Sequence, residues 1–521
     1  MTRTILSFVA LGLVAGTATV PAAGPVPGRD TVIHVLNRIG FGPRPGDVEK
    51  VQTLGIERYI EQQLHPERIL DAGMEARLSG LKTVTLSSQQ ISEQYEQPLI
   101  QARRARKETQ GAQRSANGTP DAQMPRPRPG GPQQAANTVV MELSEQKLLR
   151  AVYSERQLQE VLAEFWFNHF NVDARKGRVR FMLTEYERDA IRPHVLGSFR
   201  DLLGATAKSP AMLFYLDNFM SASGMARQAQ NRMPRGLNEN YGRELMELHT
   251  LGVDSGYTQK DVTEVARTFT GWTIGNPREM GARSGAAAIG GRSGFFFDQR
   301  LHDDGEKVVL GHRIKSGGGP SGLADGEQVL DLLAAHPSTA RFIATKLSRR
   351  FVSDTPPAAL VDRVAARFTE TKGDLREVMR TLLLSPEFLA PETARAKVKT
   401  PFEFLVSALR ATGATVSSAR PLVRTMQDLG MPLYQCQPPT GYKDTAEAWA
   451  STGALVNRMN VAQALGAGQL AGTTINTAET HSTLGALLPG LSDTTRATMA
   501  RATNEAERLA LTLGSPEFQR R

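Results

Sequence analysis

Residues 238–253 read NENYGRELMELHTLGV and place Glu239, Arg243, Glu244, Glu247 and His249 in one short, otherwise helical run. On a helix that turns about 100° per residue, Glu239, Arg243 and Glu247 are spaced four apart and fall on one stripe. Glu244 lies beside Glu247 at the i, i+3 spacing. Leu237, Tyr241, Leu245 and Leu248 take the other side. Two chemistries fit this pattern. In the first, Arg243 bridges Glu239 and Glu247 as a salt-bridge ladder that pins neighbouring elements. In the second, Glu244 and Glu247 face a cleft and meet histidines from other segments, which is how packed helices build carboxylate-rich metal sites. The Glu-x-x-His signature of such sites is absent here. A regular helix turns His249 away from the carboxylates, so His249 joins as a ligand only if the helix unwinds near Thr250. The metal reading calls for iron, manganese or zinc that activates water or oxygen, with Glu244 and Glu247 both liganding and catalysing.

Other polar residues could complete either arrangement. His169 in FWFNHFNV sits inside a very apolar run, and burying it beside Asn168 and Asn171 is costly unless all find partners. It is the leading outside ligand for Glu244 and Glu247, or else a core histidine bonded to backbone. His302 and Asp303 precede Asp304-Gly305, a dipeptide that signals a hairpin turn, and a hairpin tip is a common place for a substrate-touching residue. Asp217 in YLDN reads as a helix-end or loop-capping aspartate. His194 and His336 read as structural. The Pro-rich stretch MPLYQCQPPTGYKDTAEAW offers Tyr434, Gln435, Gln437, Tyr442 and Trp449 as pocket-lining groups. Cys436 within it has no histidine nearby in sequence to activate it.

The elements that must position these residues are mostly helices. Of 521 residues 40% are hydrophobic, enough for a real core, while aromatics at 6% argue against a sheet-rich sandwich. With one cysteine there is no intramolecular disulfide and no cysteine-based metal cluster. The net charge is +9, but the segment 101–137 supplies +5 of it, with seven arginines and lysines against Glu108 and Asp121. No aromatics are interleaved there to stack on bases, so no specific nucleic-acid partner is expected. P-loop, dinucleotide-fold, serine-hydrolase elbow, zinc-protease and c-type haem motifs are all missing.

Residues 1–22 read as a signal peptide, with Arg3, an apolar run from Ile5 to about Val20 and small residues before a cleavage site after Ala22. The mature chain carries no run apolar enough to span a membrane and is expected outside the cytoplasm, periplasmic or extracellular. Residues 23–100 form an N-terminal helical segment. Residues 101–137 form a flexible basic insertion rich in Pro, Gly and Gln. Residues 138–521 form the main helical domain, with a β-hairpin insertion near 292–315. Thr258 and Asp261 make a capping box, and LLLSPEF at 382–388 echoes LTLGSPEF at 511–518 as a helix end followed by Ser-Pro. The fold class is therefore mainly α, a multi-helix orthogonal bundle with a small β-hairpin insertion.

HVLNRIGFGPRPGDVEKVQTLGIERYIEQQL, LAEFWFNHFNV, NENYGRELMELHTLGVDSGYTQKDVTEVARTFTGWT and GDLREVMRTLLLSPEF together resemble the bacterial family catalogued as domain of unknown function 1800. The resemblance runs from about residue 31 to the C-terminus. It implies an exported helical protein and names no reaction. It also implies a partner, a co-exported protein of the domain of unknown function 1501 family, which resembles sulfatases. Two functions follow: a metal-dependent hydrolase or oxidoreductase with a Glu/His cleft, or a non-catalytic scaffold that binds the sulfatase-like protein or a cell-envelope polymer. Convergence of Glu244, Glu247 and a histidine favours the first. An Arg243 that neutralises the carboxylates favours the second.

Overall fold

Two helices are buried on nearly every side and organise the rest. In Gln157–His169 only Gln159 and Asn168 are half-buried, and the other residues are buried. Pro401–Ala411 is buried throughout and opens with a capping box between Thr400 and Glu403. A helix apolar all round belongs in the middle of a large core. Arg410 is the most demanding of the three polar residues in the second helix, with Glu403 and Ser407. Its guanidinium donates to the carbonyls of Gly42 and Val152 at 2.7 Å each and pairs with Asp47 at 3.2 Å, so the buried charge is satisfied.

The computed structural model describes residues 28–116, 131–223, 236–275, 294–315, 319–476, 480 and 490–521. The protein is mainly α. Val32, Val35 and Ile39 near the start of the described chain share one buried cluster with Trp166, Phe199, Leu347, Phe404 and Phe518. The segment read as a flexible insertion is helical at both margins. Gln97–Ala116 is one helix and Pro132–Tyr153 another, while residues 117–130 lie outside the described residues. Gln, Ala, Arg, Lys and Glu are good helix formers, and that local preference wins over the low hydrophobicity of the stretch. The expected signal peptide also lies outside the described residues. No helix among them is long and apolar enough to cross a membrane.

The capping box at the start of Gln259–Thr268 is formed as expected, with Thr258 and Asp261 bonding each other's backbone amides. The two Ser-Pro echoes are alike in space: Ser385 Oγ accepts the Phe388 amide at 3.1 Å and Ser515 Oγ accepts the Phe518 amide at 3.2 Å. The hairpin is displaced from its expected turn. Lys307–Val309 pairs antiparallel with His312–Ile314, and Leu310 and Gly311, both at positive φ, make the turn. Asp304-Gly305 lies ahead of the strands, where the Gly305 amide donates to Asp303 Oδ1 at 2.9 Å. Asp303 is claimed by Arg267, and that tertiary pair overrides the dipeptide's turn preference. A second two-stranded sheet joins Trp272–Ile274 to Phe295–Phe297, and a third joins Thr415–Val416 to Thr473–Thr474.

Candidate functional site

The helix Gln157–His169 ends where the apolar run gives way to Asn168, His169 and Asn171, residues that extend helices poorly. Both asparagines then hold the Pro-rich loop. Asn168 Nδ2 donates to the Tyr442 carbonyl and its Oδ1 accepts the Tyr442 amide, each at 2.7 Å. Asn171 Nδ2 donates to the carbonyls of Cys436 and Pro438 at 2.9 and 2.8 Å. Tyr215 adds its hydroxyl to the Gln437 carbonyl at 2.6 Å. Gly441 lets the loop come this close: a Cβ there would stand 2.3 Å from the Asn168 carbonyl oxygen, and its φ of +72° favours glycine. The Cys436 thiol is pushed up to about 11 by burial and by Asp173, the opposite of an activated nucleophile.

His169 is buried, and both its ring nitrogens are occupied. Nε2 lies 3.1 Å from the His249 carbonyl, an acceptor, so Nε2 carries the proton. Nδ1 is then a lone pair, and Lys346 Nζ donates to it at 2.9 Å. Burial first, then the Lys346 charge, hold the His169 ring neutral far below the ordinary histidine range. His249 comes within reach because the helix widens into a π turn over Leu245–Thr250 directly after Asn240–Glu244. Such turns recur at functional sites. His249 is 2% exposed and has its own pKa lowered to about 3, by burial and then by Lys346. Its Nε2 is buried and, among the described residues, has no hydrogen-bond partner.

Arg243 lies between Glu239 and Glu247, at 3.6 and 3.5 Å. The ladder is tied to the next helix: Gln259 donates to Glu239 at 2.7 Å and accepts from Arg243 at 2.8 Å, and Thr263 donates to Glu239 at 2.8 Å. Glu244 stands outside the ladder, half-buried, with its carboxyl raised by burial and by Glu247. Among the described residues no group of three or more His, Cys, Asp or Glu is gathered that could hold a metal.

His302 and Asp303 sit apart from this region and away from any exposed tip. His302 is buried, donating from Nδ1 to the Thr270 carbonyl at 2.8 Å, with Nε2 3.3 Å from Asp325. Lys307 joins Asp325 at 2.7 Å. Asp303 takes both arms of Arg267 at 3.0 Å, which outweighs burial and keeps its carboxyl below the usual range. This charge cluster ties the hairpin to Gln259–Thr268 and Leu323–Ala335. Asp217 adopts a left-handed conformation and pairs with Lys176 at 2.7 Å, and His336 caps Pro337–Phe351 through Nδ1.

Lys346 is the site residue that the sequence reading missed. The signal was present: Thr339, Ile343, Lys346 and Arg350 follow a 4-3-4 spacing, the register of a buried helix stripe. A family model described as "Protein of unknown function (DUF1800)" matches residues 34–520, in agreement with the resemblance read from the motifs. No curated protein and no solved structure matches the chain.

Proposed function

The chain belongs to the DUF1800 family of proteins of unknown function, and from that premise we propose that it works as an exported binding scaffold for an acidic polymer of the cell envelope. One observation carries the preference for binding over metal chemistry: Arg243 occupies the space between Glu239 and Glu247. The engagement of both His169 nitrogens supports it, since a metal there would have to displace Lys346 or the His249 carbonyl. The positive net charge, concentrated in segment 101–137, favours an acidic partner over a neutral one.

The test is elemental analysis of the mature protein, before and after incubation with divalent ions, together with retention on immobilised polygalacturonate against neutral agarose. The scaffold reading expects no near-stoichiometric metal and retention on the acidic resin that salt reverses. Failure to be retained, with co-elution alongside the sulfatase-like protein, would transfer the scaffold role to that partner. Glu244 supports a second reading. Its raised carboxyl lies outside the ladder and suits acid–base work or a divalent cation. Near-stoichiometric iron, manganese or zinc, lost in a folded Glu244→Ala, Glu247→Ala variant, would establish that enzyme reading instead.

A further inference from the structure

We infer that Lys346 and His249, braced by His169, form a receptor for a single oxyanion group: a carboxylate, a sulfate or a phosphate. The inference rests on the binding reading above and names the chemical group that would be recognised. Lys346 is half-buried, and its ammonium carries three donors, of which His169 takes one. Among the described residues no carboxylate lies within ion-pair distance of it. Asp444, the carboxylate that acts on it electrostatically, is already shared by Arg350 at 3.4 Å and Lys397 at 3.6 Å. His249 supplies the second, independent feature. Its Nε2 is sealed from solvent and, among the described residues, has no hydrogen-bond partner, which leaves a donor position open for a ligand.

Both groups pack against His169. Its ring centroid lies 6.2 Å from that of His249, and its Nδ1 receives Lys346. An oxyanion seated between them would accept from Lys346 Nζ and from His249 Nε2–H, satisfying both at once. The surroundings are apolar: Phe342 lies 5.5 Å from the ammonium, and Trp166 and Phe165 pack on the His169 ring. Low local polarity strengthens a charge-assisted hydrogen bond.

The experiment titrates acetate, sulfate and phosphate separately into the mature full chain, at constant ionic strength in a chloride background. Thermal stability and tryptophan fluorescence are followed, Trp166 lying edge-on to His169 at 5.3 Å between ring centroids. A saturable response to at least one anion is expected, and which one responds identifies the source. Lys346→Met should weaken binding at least about tenfold, the loss of one charge-assisted hydrogen bond. Lys346→Arg, which keeps the charge, should retain part of the response, and His249→Phe should weaken it with Lys346 intact. Circular dichroism checks that each variant is folded. No saturable response from any of the three anions, or equal affinity in Lys346→Met, would overturn the receptor. Polymer retention unchanged in Lys346→Met would overturn the site and leave the scaffold standing. Free-anion binding without polymer retention would do the reverse.

Discussion

Lys346 and Arg350 stand one turn apart on the same stripe of the same helix, and their surroundings are opposite. Arg350 is buried and meets Glu164 at 3.1 Å, Glu403 at 2.8 Å and Asp444 at 3.4 Å, while Arg521 shares Glu403 at 3.0 Å. Among the described residues Lys346 hydrogen-bonds a neutral imidazole, faces the Phe342 ring and has no ion pair. A fully buried cation costs several kcal/mol to desolvate, so it persists only when paired. Lys346 keeps some contact with solvent and accommodates its position by holding its proton less firmly, its pKa lowered to about 8 by burial. The contrast separates two uses of charge. Where opposite charges meet, as around Arg350 and in the Glu239–Arg243–Glu247 ladder, the residues hold elements together. Lys346 has no such opposite charge, and the proposed anion would supply it.

The largest effect should come from the matched side. Arg350→Met strands Glu164 in the core, leaves Glu403 to Arg521 alone, and should cost about 3–5 kcal/mol in urea unfolding. A cost under about 1 kcal/mol would break the comparison, because the charges would then not depend on one another. Acid attacks the same network. Arg350 and Arg521 overcome burial and hold Glu403 down at about 2, so its contribution is intact above its ordinary value of 4.5 and is lost as pH falls from there through 2. Buried histidines begin the loss earlier. His34 is lowered to about 4 and His249 to about 3, mainly by burial, so below 6.5 the unfolded chain takes up protons that the folded one refuses. Stability should therefore start to fall near pH 6.5. His34→Gln should flatten the slope between pH 6.5 and 4, and unfolding midpoints measured across that range decide the matter.

Smaller effects sharpen the other side. Lys346→Met should cost about 1–2 kcal/mol, because the buried His169 Nδ1 loses its donor while no carboxylate loses a partner. A loss of about 3 kcal/mol would mean that Lys346 is structural after all. Arg243→Ala should cost least, under about 1 kcal/mol, since the ladder is solvent-screened on a half-exposed face. Its unfolding midpoint should also depend less on salt than that of the unaltered chain.

Much of the fold was legible because it rests on local rules. Thr258 and Asp261 announced their helix start, and both Ser-Pro echoes the same capped turn. The hairpin turn was misplaced because Arg267, distant in sequence, captures Asp303 and leaves Leu310-Gly311 to reverse the chain. At the site, the Arg243 ladder could be read from its spacing. The contact of His249 with His169 could not, because it depends on a π turn that breaks helical spacing. Lys346 was passed over because a lysine on a helix is usually solvated, and only its register with Thr339, Ile343 and Arg350 marks it as different.

The most direct test follows the Lys346 amine itself through a pH titration, by NMR of reductively ¹³C-methylated protein, with the signal assigned from Lys346→Arg. The groups acting on it are Asp444, Arg349, His169 and His249. The expected midpoint is about 8, moving upward when the anion that binds is added. An amine that titrates at its ordinary 10.5 and ignores every anion would contradict the account.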